Sequence, residues 1–469
     1  MTAAVLDALR GRLGAKGVLS DAGDVAPFST DWRGLFEGRP LCIARPASTV
    51  EVAATLRLCA KHGAAVVPQG GNTGLAGGAT PDRSGTQVLV LLDRMTAVRR
   101  VDPLGLTLEV EAGVPWAAAK AAAADEGRLL PLSLAAEGTA TVGGVLATNA
   151  GGTEVLRHGM ARSLVLGLEV VLADGTVLDR MRRLRKDNAG WDLKQLFVGS
   201  EGAYGIVTAA ILRLVPAPAH RATALLGVGG VEEALRLLDH AQTTLGEALT
   251  GFEILTRDGA DLVATHDGPA CPVEEGDWLV LVEAQSSLPG LREAAEAMLE
   301  VAFEEELAVD GVLAESEAQA DGLWDIRERL TEAEAKAGRS VKHDVSVPID
   351  RMPQFVNAAA SALGDVAPQA TLNLFGHLGD GNLHYNVLLP DGAAGDAAEA
   401  INRAVHDAVD AEGGSISAEH GLGQYRVGEW ARLAHPAERA VARRVKTALD
   451  PHGRLNPGKL LPLDGGEDA

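Results

Sequence analysis

"AAVVPQGGNTGLAGG", residues 64–78, is the stretch on which the fold turns. Its first five residues have the length and apolar content of a buried strand. They run without a break into a loop with five glycines in ten residues. Such a loop leaves backbone N–H groups uncovered by side chains, so it can line an anionic group. It is neither of the two common phosphate loops. No G-x-G-x-x-G occurs in the chain, and no Lys-Ser/Thr pair follows the glycines.

Outward from that loop the pattern alternates helix and strand. "RPASTVEVAATLRLCAKHG", 45–63, predicts a helix with Ser48 and Glu51 in capping-box positions and Gly63 as its stop. Strands are predicted in 86–95 and 106–113, then a helix in "PWAAAKAAAADEG". "TATVGGVLATNAGG", 139–152, reads as a second glycine-rich turn. "LVLGLEVVLADGTVLD" reads as a hairpin turning at Asp174-Gly175. A third glycine loop, "GSEGAYG", spans 199–205. Three such loops in one strand-rich half suit a long, phosphate-bearing ligand.

A Pro-containing linker near 216–218 ends this half. Beyond it lie a helix in "VEEALRLLDHAQTTLG", a strand in "DWLVLVEAQ" and a long acidic helical stretch from about 288 to 338. The expected domains are 1–218, 219–414 and a C-terminal segment, 415–469, that returns to the first. Hydrophobic residues at 46% and charged residues at 23% of 469 describe an ordinary globular chain. A net charge of −22 argues against nucleic acid or an anionic membrane surface as the main partner. No apolar run reaches the ~20 residues of a membrane span. Cys42, Cys59 and Cys271 form an odd set without C-x-x-C, which points to a reducing compartment. The opening residues lack the basic and apolar regions of a signal peptide, and a cytoplasmic location is expected.

"GHLGDGNLH", 376–384, sets His377 and His384 seven apart around Gly-Asp-Gly-Asn. On a straight strand the two rings would lie on opposite faces, roughly 23 Å apart. The glycines argue against helix, which leaves a bend at 379–382 that folds both imidazoles towards one point. "SAEHGLG", 417–423, adds Glu419 and His420 between glycines. Two imidazoles and a carboxylate with an open fourth position make the donor set of a catalytic zinc-type site. Asp380 is read as a turn-former.

"VPQGGNTGLAGG", "GGVLATNAGG", "LRKDNAGWDLKQLFVGSEG", "GHLGDGNLH", "SAEHGLG" and "LNPGK", in this order, resemble the FAD-linked D-2-hydroxyacid dehydrogenases of the vanillyl-alcohol oxidase/p-cresol methylhydroxylase superfamily. The likeness runs from about residue 40 to 460, and the branch acting on D-2-hydroxyglutarate matches best. It implies an α+β fold: a two-lobed FAD-binding domain of p-cresol methylhydroxylase type with an α+β substrate cap. It assigns Gly70, Gly71, Asn72, Thr73, Gly74, Thr141, Gly144, Thr148, Asn149, Gly205, Ile206 and Asn456 to FAD. His377, His384 and Glu419 become ligands of a divalent metal, with Zn²⁺ expected, and His420 the general base. Arg327, Thr331, Lys342 and Asn386 fall on substrate positions. Arg327 and Thr331, four apart, are expected on one helix face.

The chain departs from the family pattern at two places: His158 stands where an aromatic residue is usual, and "GSEGAYG" has Ala-Tyr where Thr-Leu is usual. Because the first loop holds no histidine, FAD is expected to be non-covalent. The resemblance also implies a small anionic 2-hydroxy acid as substrate. An electron-transfer flavoprotein or quinone is implied as electron acceptor, with a homodimer left open. D-Lactate or glycolate is the alternative substrate. From the residues alone, two other classes stay open. A flavin-free metal hydrolase would use the His/Glu set but leave the glycine loops unexplained, and a non-catalytic flavin module would leave Arg327, Lys342 and His420 unexplained.

Overall fold

The computed structural model describes residues 2–390 and 397–463. Contacts divide the chain into two units. One comprises 1–150, 160–217 and 419–469, and the other 151–159 and 218–418. The units thus change at 217/218 and 418/419, and a nine-residue excursion at 151–159 goes with the second.

The first unit is built on two larger sheets, with a two-stranded pair of Arg128–Leu129 and Val215–Pro216 besides. In the four-stranded sheet, Cys42–Ala44, Val88–Leu91 and Val66–Gln69 run parallel, and Val18–Leu19 pairs antiparallel on the edge. The middle strands are buried on both faces, which is why they read as continuous apolar runs. The crossover helix Thr49–His62 begins at Ser48, whose hydroxyl accepts from the N–H of Glu51. Glu51 reaches back to the N–H of Ala47, one residue earlier than a capping box requires, and Gly63 ends the helix in the left-handed region. Its face of Val52, Ala53, Leu56 and Cys59 joins one core with Val88, Val90, Val171 and Ile206. Burying a side chain such as Leu56 contributes about 1.5–3 kcal/mol.

The second sheet of this unit has five antiparallel strands in the order Val98–Asp102, Thr107–Glu111, Ile206–Arg213, Val165–Val171, Val177–Arg180. The Asp174-Gly175 hairpin joins the last pair as expected. The second glycine-rich stretch is not a turn. It forms the helix Val142–Thr148, capped by the Thr141 hydroxyl on the N–H of Gly144 and closed by Asn149 at φ 52°. Gly143 lies inside this helix because the helix packs flush on Ala112, where a Cβ would have no room. Close helix–strand packing outweighed the low helix propensity of glycine.

The second unit carries an eight-stranded antiparallel sheet. Along its path lie Asp310–Leu313, His220–Val228, Trp278–Ser286, Leu249–Thr256, Thr371–Gly376, Asn382–Leu388 and Ser340–Val341, and Asp344–Ser346 also pairs with Asn382–Leu388. The helices Val231–Leu245 and Leu291–Glu304 each bury one stripe at helical spacing. The expected acidic helical stretch is interrupted. After Leu291–Glu304 the strand Asp310–Leu313 joins the sheet edge, followed by the helices Glu317–Glu328 and Leu330–Ala337. Among the described residues no helix is long and apolar enough to cross a membrane.

Candidate functional site

In the second unit the site is assembled by sheet register. Asn382–Leu388 pairs with Thr371–Gly376 so that His384 faces Phe375, and with Asp344–Ser346 so that His384 faces Asp344. His377 follows the end of Thr371–Gly376 and opens a short 3₁₀ turn, Leu378–Asp380, closed by Gly381 at φ 82°. This is the bend expected from the glycines, and it brings the His377 and His384 rings to 5.7 Å between centroids at 76°. The neighbouring strand Leu249–Thr256 pairs Ile254 with Gly376, which sets Glu253 opposite His377.

Glu253 is the residue that sequence reasoning passed over. Its Oε1 lies 2.6 Å from His377 Nδ1, and its Oε2 accepts from Arg327 Nε at 2.8 Å. Burial alone would raise its pKa, but the charges of His377 and Arg327 bring it down to about 2. A carboxylate on Nδ1 fixes the tautomer and presents Nε2 as a lone-pair donor, the arrangement of metal-ligating histidines. The Arg327 guanidinium also covers the Phe375 ring at 4.7 Å, and the Phe375 ring lies 5.0 Å from that of His384, tilted by 49°. Asp380, in the turn, is pushed up to about 6 by burial, against the pull of His377. Asp344 Oδ1 is 3.9 Å from His384 Nδ1 and accepts from the amide of Asn382 at 3.0 Å. The N–H of Ala418 bonds the carbonyl of Asp344, and Glu419 is the next residue in the chain, one peptide unit (~3.8 Å between Cα atoms) further on.

The other expected substrate residues are arranged differently from the expectation. Arg327 is buried at the end of one helix, and Thr331 is exposed in the next, so they do not share a single face. Lys342 pairs at 3.0 Å with Glu334, which is completely buried. The amide of Asn386 donates to the same carboxylate at 2.8 Å, as does that of Asn373 at 2.9 Å, while Asn386 Oδ1 accepts from the N–H of His343. A wholly buried carboxylate needs this much neutralisation.

The glycine loops lie in the first unit. Gly70 and Gly71 are glycines because the loop packs on the second stretch: a Cβ on Gly70 would meet Thr141 Oγ1, and one on Gly71 would meet the Thr139 carbonyl. Gly74, by contrast, is exposed with open space around it. Asn72 holds φ 54° and donates to the Thr30 carbonyl, and Thr73 is half-buried beside it. Thr148 turns its hydroxyl back on the Gly144 carbonyl, and Asn149 accepts from the N–H of Arg162. Gly205 is closed in by Val170 and Phe197. The Ile206 side chain belongs to the core, which leaves only its backbone for a ligand. Asn456 donates to the carbonyls of Gly78 and Glu201, and its own buried Oδ1 has no hydrogen-bond partner. A buried acceptor left over beside an open glycine loop fits a ligand that brings its own donors.

Glu201, in the third loop, is a second residue missed in the sequence. It is buried, and its two oxygens accept from the N–H groups of Leu422 and Gly423 at 2.8 Å each. Burial raises its pKa, opposed by those two N–H groups and by Arg426. The third loop thereby grips the segment that carries His420.

Fold and loops define a flavoprotein class, and comparison with known proteins places the chain within it. Residues 40–180 match the family model "FAD binding domain" and residues 217–460 match "FAD linked oxidases, C-terminal domain". The chain is 40% identical over 446 residues to the mitochondrial D-2-hydroxyglutarate dehydrogenase of Bos taurus, covering 95% of this chain and 81% of the relative. It is 36% identical over 446 residues to the D-2-hydroxyglutarate dehydrogenase of Xanthomonas citri pv. viticola, covering 94% and 93%. Its fold matches p-cresol methylhydroxylase solved with substrate bound, at a TM-score of 0.75 and 16% identity over 99% of this chain and 97% of that one. The chain belongs to the D-2-hydroxyglutarate dehydrogenase family of FAD-linked oxidoreductases.

Proposed function

We propose that the chain oxidises D-2-hydroxyglutarate to 2-oxoglutarate, using non-covalent FAD and a divalent cation, Zn²⁺ by its donor set. The observation that carries the reading is the Glu253–His377 contact, which prepares an imidazole as a ligand beside His384 in a chain of this family. His377, His384 and Glu419 would hold the cation, while the glycine-loop residues and Asn456 would hold FAD. Bound FAD supplies the two-electron acceptor, and the cation supplies a Lewis acid for the 2-hydroxyl.

The remaining work falls to the chain's own side chains. The His420 imidazole takes the proton of the 2-hydroxyl on a ring nitrogen, as a general base does. Arg327 uses Nε on Glu253, so its two terminal nitrogens remain to grip the substrate carboxylate in a fork. Thr331 and Asn386 are the further substrate contacts, and Lys342, which shares Glu334 with Asn386, receives a carboxylate end. A protein of charge −22 needs such local cations to hold an anion.

D-Lactate is the second reading, favoured by one observation: Lys342 already has Glu334 as its partner. The electron acceptor would be an electron-transfer flavoprotein or a quinone. The three free cysteines, two of them buried, fit a reducing compartment, and both the cytoplasm and the mitochondrial interior meet that condition. The test is removal of the metal. A chelated enzyme should keep its FAD and its yellow colour yet lose reduction by substrate, and added Zn²⁺ should restore it. Full turnover by a metal-free preparation would end the metal role.

A further inference from the structure

The first unit carries a surface feature that the oxidation of substrate does not use. Residues 180–186, "RMRRLRK", hold five cations in seven positions of a chain with net charge −22. From Met181 to Asp192 the backbone forms neither helix nor strand, and the run 182–186 is exposed throughout. Asp187 neutralises part of the charge by pairing with Arg180 and Arg182, and Asp102 pairs with Arg183. Among the described residues no carboxylate pairs with Arg185 or Lys186. Two large apolar side chains stand in the same stretch, Trp191 at 70% and Leu184 at 51% exposure. Trp and Arg are among the residue types that dominate binding hot spots.

We propose that residues 182–191 are the docking face for an acidic, soluble electron-carrier protein that reoxidises the flavin. The proposal rests on the oxidoreductase reading. Converting one hydroxyl to a ketone releases two electrons and two protons. The electrons must leave the reduced flavin for an acceptor before the next turnover, and the protons pass to the base and to solvent. A net charge of −22 opposes the approach of an acidic partner, so a basic stretch gives both attraction and orientation. Its position also suits the task. Seven residues of chain, at most ~25 Å fully extended, separate Asp192 from Gly199 at the start of the third glycine loop. A membrane-held acceptor suits the stretch less well, because it has no amphipathic helix to insert and the remaining charge opposes an anionic bilayer.

The test compares three acceptors using the full FAD-loaded enzyme and R185E/K186E, a double variant that breaks no ion pair among the described residues. The probes are the small dye dichlorophenolindophenol, a purified acidic electron-transfer flavoprotein, and ubiquinone in phosphatidylglycerol vesicles. Dye turnover should be unchanged, which reports separately that the dehydrogenase reading and the fold are intact. With the flavoprotein, kcat/KM at low salt should fall roughly tenfold or more, the scale of electrostatic steering. The wild-type rate should drop as salt rises, and that of the double variant should stay flat. Trp191→Ala should raise KM for the flavoprotein alone. The proposal is overturned if the double variant serves the flavoprotein as well as the wild type does, if dye turnover falls by the same factor, or if only vesicle-borne quinone accepts electrons.

Discussion

His377 Nδ1 sits 2.6 Å from Glu253 Oε1, and the other oxygen of the same carboxylate binds Arg327 Nε at 2.8 Å. One buried acid therefore orients the candidate metal ligand and the candidate substrate clamp together. Glu253→Gln should weaken metal affinity about 10- to 100-fold, the usual worth of a partner behind a ligating histidine. Metal content after dialysis against graded chelator measures it, and unchanged affinity would detach Glu253 from the metal. Glu253→Ala should in addition destabilise the fold by about 3–5 kcal/mol, because it leaves Arg327 buried without its carboxylate.

Half-buried Lys342 is the counter-charge of the buried Glu334, which complicates the obvious test of substrate length. Lys342→Met alone leaves Glu334 uncompensated, and the melting temperature should fall. The informative variant is Lys342→Met with Glu334→Gln, which removes both charges. If Lys342 receives a far carboxylate, this double variant should lose about 2–3 kcal/mol in kcat/KM for D-2-hydroxyglutarate and much less for D-lactate. Equal losses for the two acids would assign Lys342 to the fold or to the shared carboxylate, and D-lactate would become the better substrate proposal.

His420→Ala should slow flavin reduction by ~10²–10⁴-fold without loss of FAD, and the rate should lose the pH dependence that a histidine base imparts. Glu201→Ala should behave differently. It frees two N–H groups at Leu422 and Gly423, so reduction slows through disorder of the segment while the histidine titration persists. A Glu201 variant whose pH profile also flattens would make Glu201 more than a positioning residue.

Lys459 is buried, and burial depresses its pKa to about 8, with Asp82 opposing the shift. Between pH 8 and about 10.5 the unfolded chain binds this proton and the folded one does not, so stability should rise with pH across that window and be flat below it. Lys459→Met should remove that rise. The shift corresponds to a difference on the order of 3 kcal/mol at most. Thermal unfolding of both proteins from pH 7 to 10 measures it, and parallel curves would mean that Lys459 is solvated in solution.

The parts of the site written in local pattern were legible in the sequence. Glycines around His377 and His384 require a bend, and the bend is present. Ser48 and Gly63 bound a helix by capping chemistry alone. What escaped depends on register between distant strands. Glu253 meets His377 only because Ile254 pairs with Gly376 across 122 residues of chain, although a lone acid in the apolar run "GFEIL" is a signal that could have been followed. Glu334 was hidden for the same reason, since on its helix it looks like any solvated acid. The second glycine stretch misled because glycine marks close packing as readily as a turn. Gly143 serves the contact with Ala112 inside a helix.

The central claim meets its most direct test in anaerobic mixing of the FAD- and metal-loaded protein with D-2-hydroxyglutarate while the flavin absorption band is followed. The account predicts rapid bleaching with one equivalent of 2-oxoglutarate formed per flavin, none with the L-enantiomer, and none after chelation. A flavin that stays oxidised in D-2-hydroxyglutarate and D-lactate alike, with metal and FAD both bound, would contradict it.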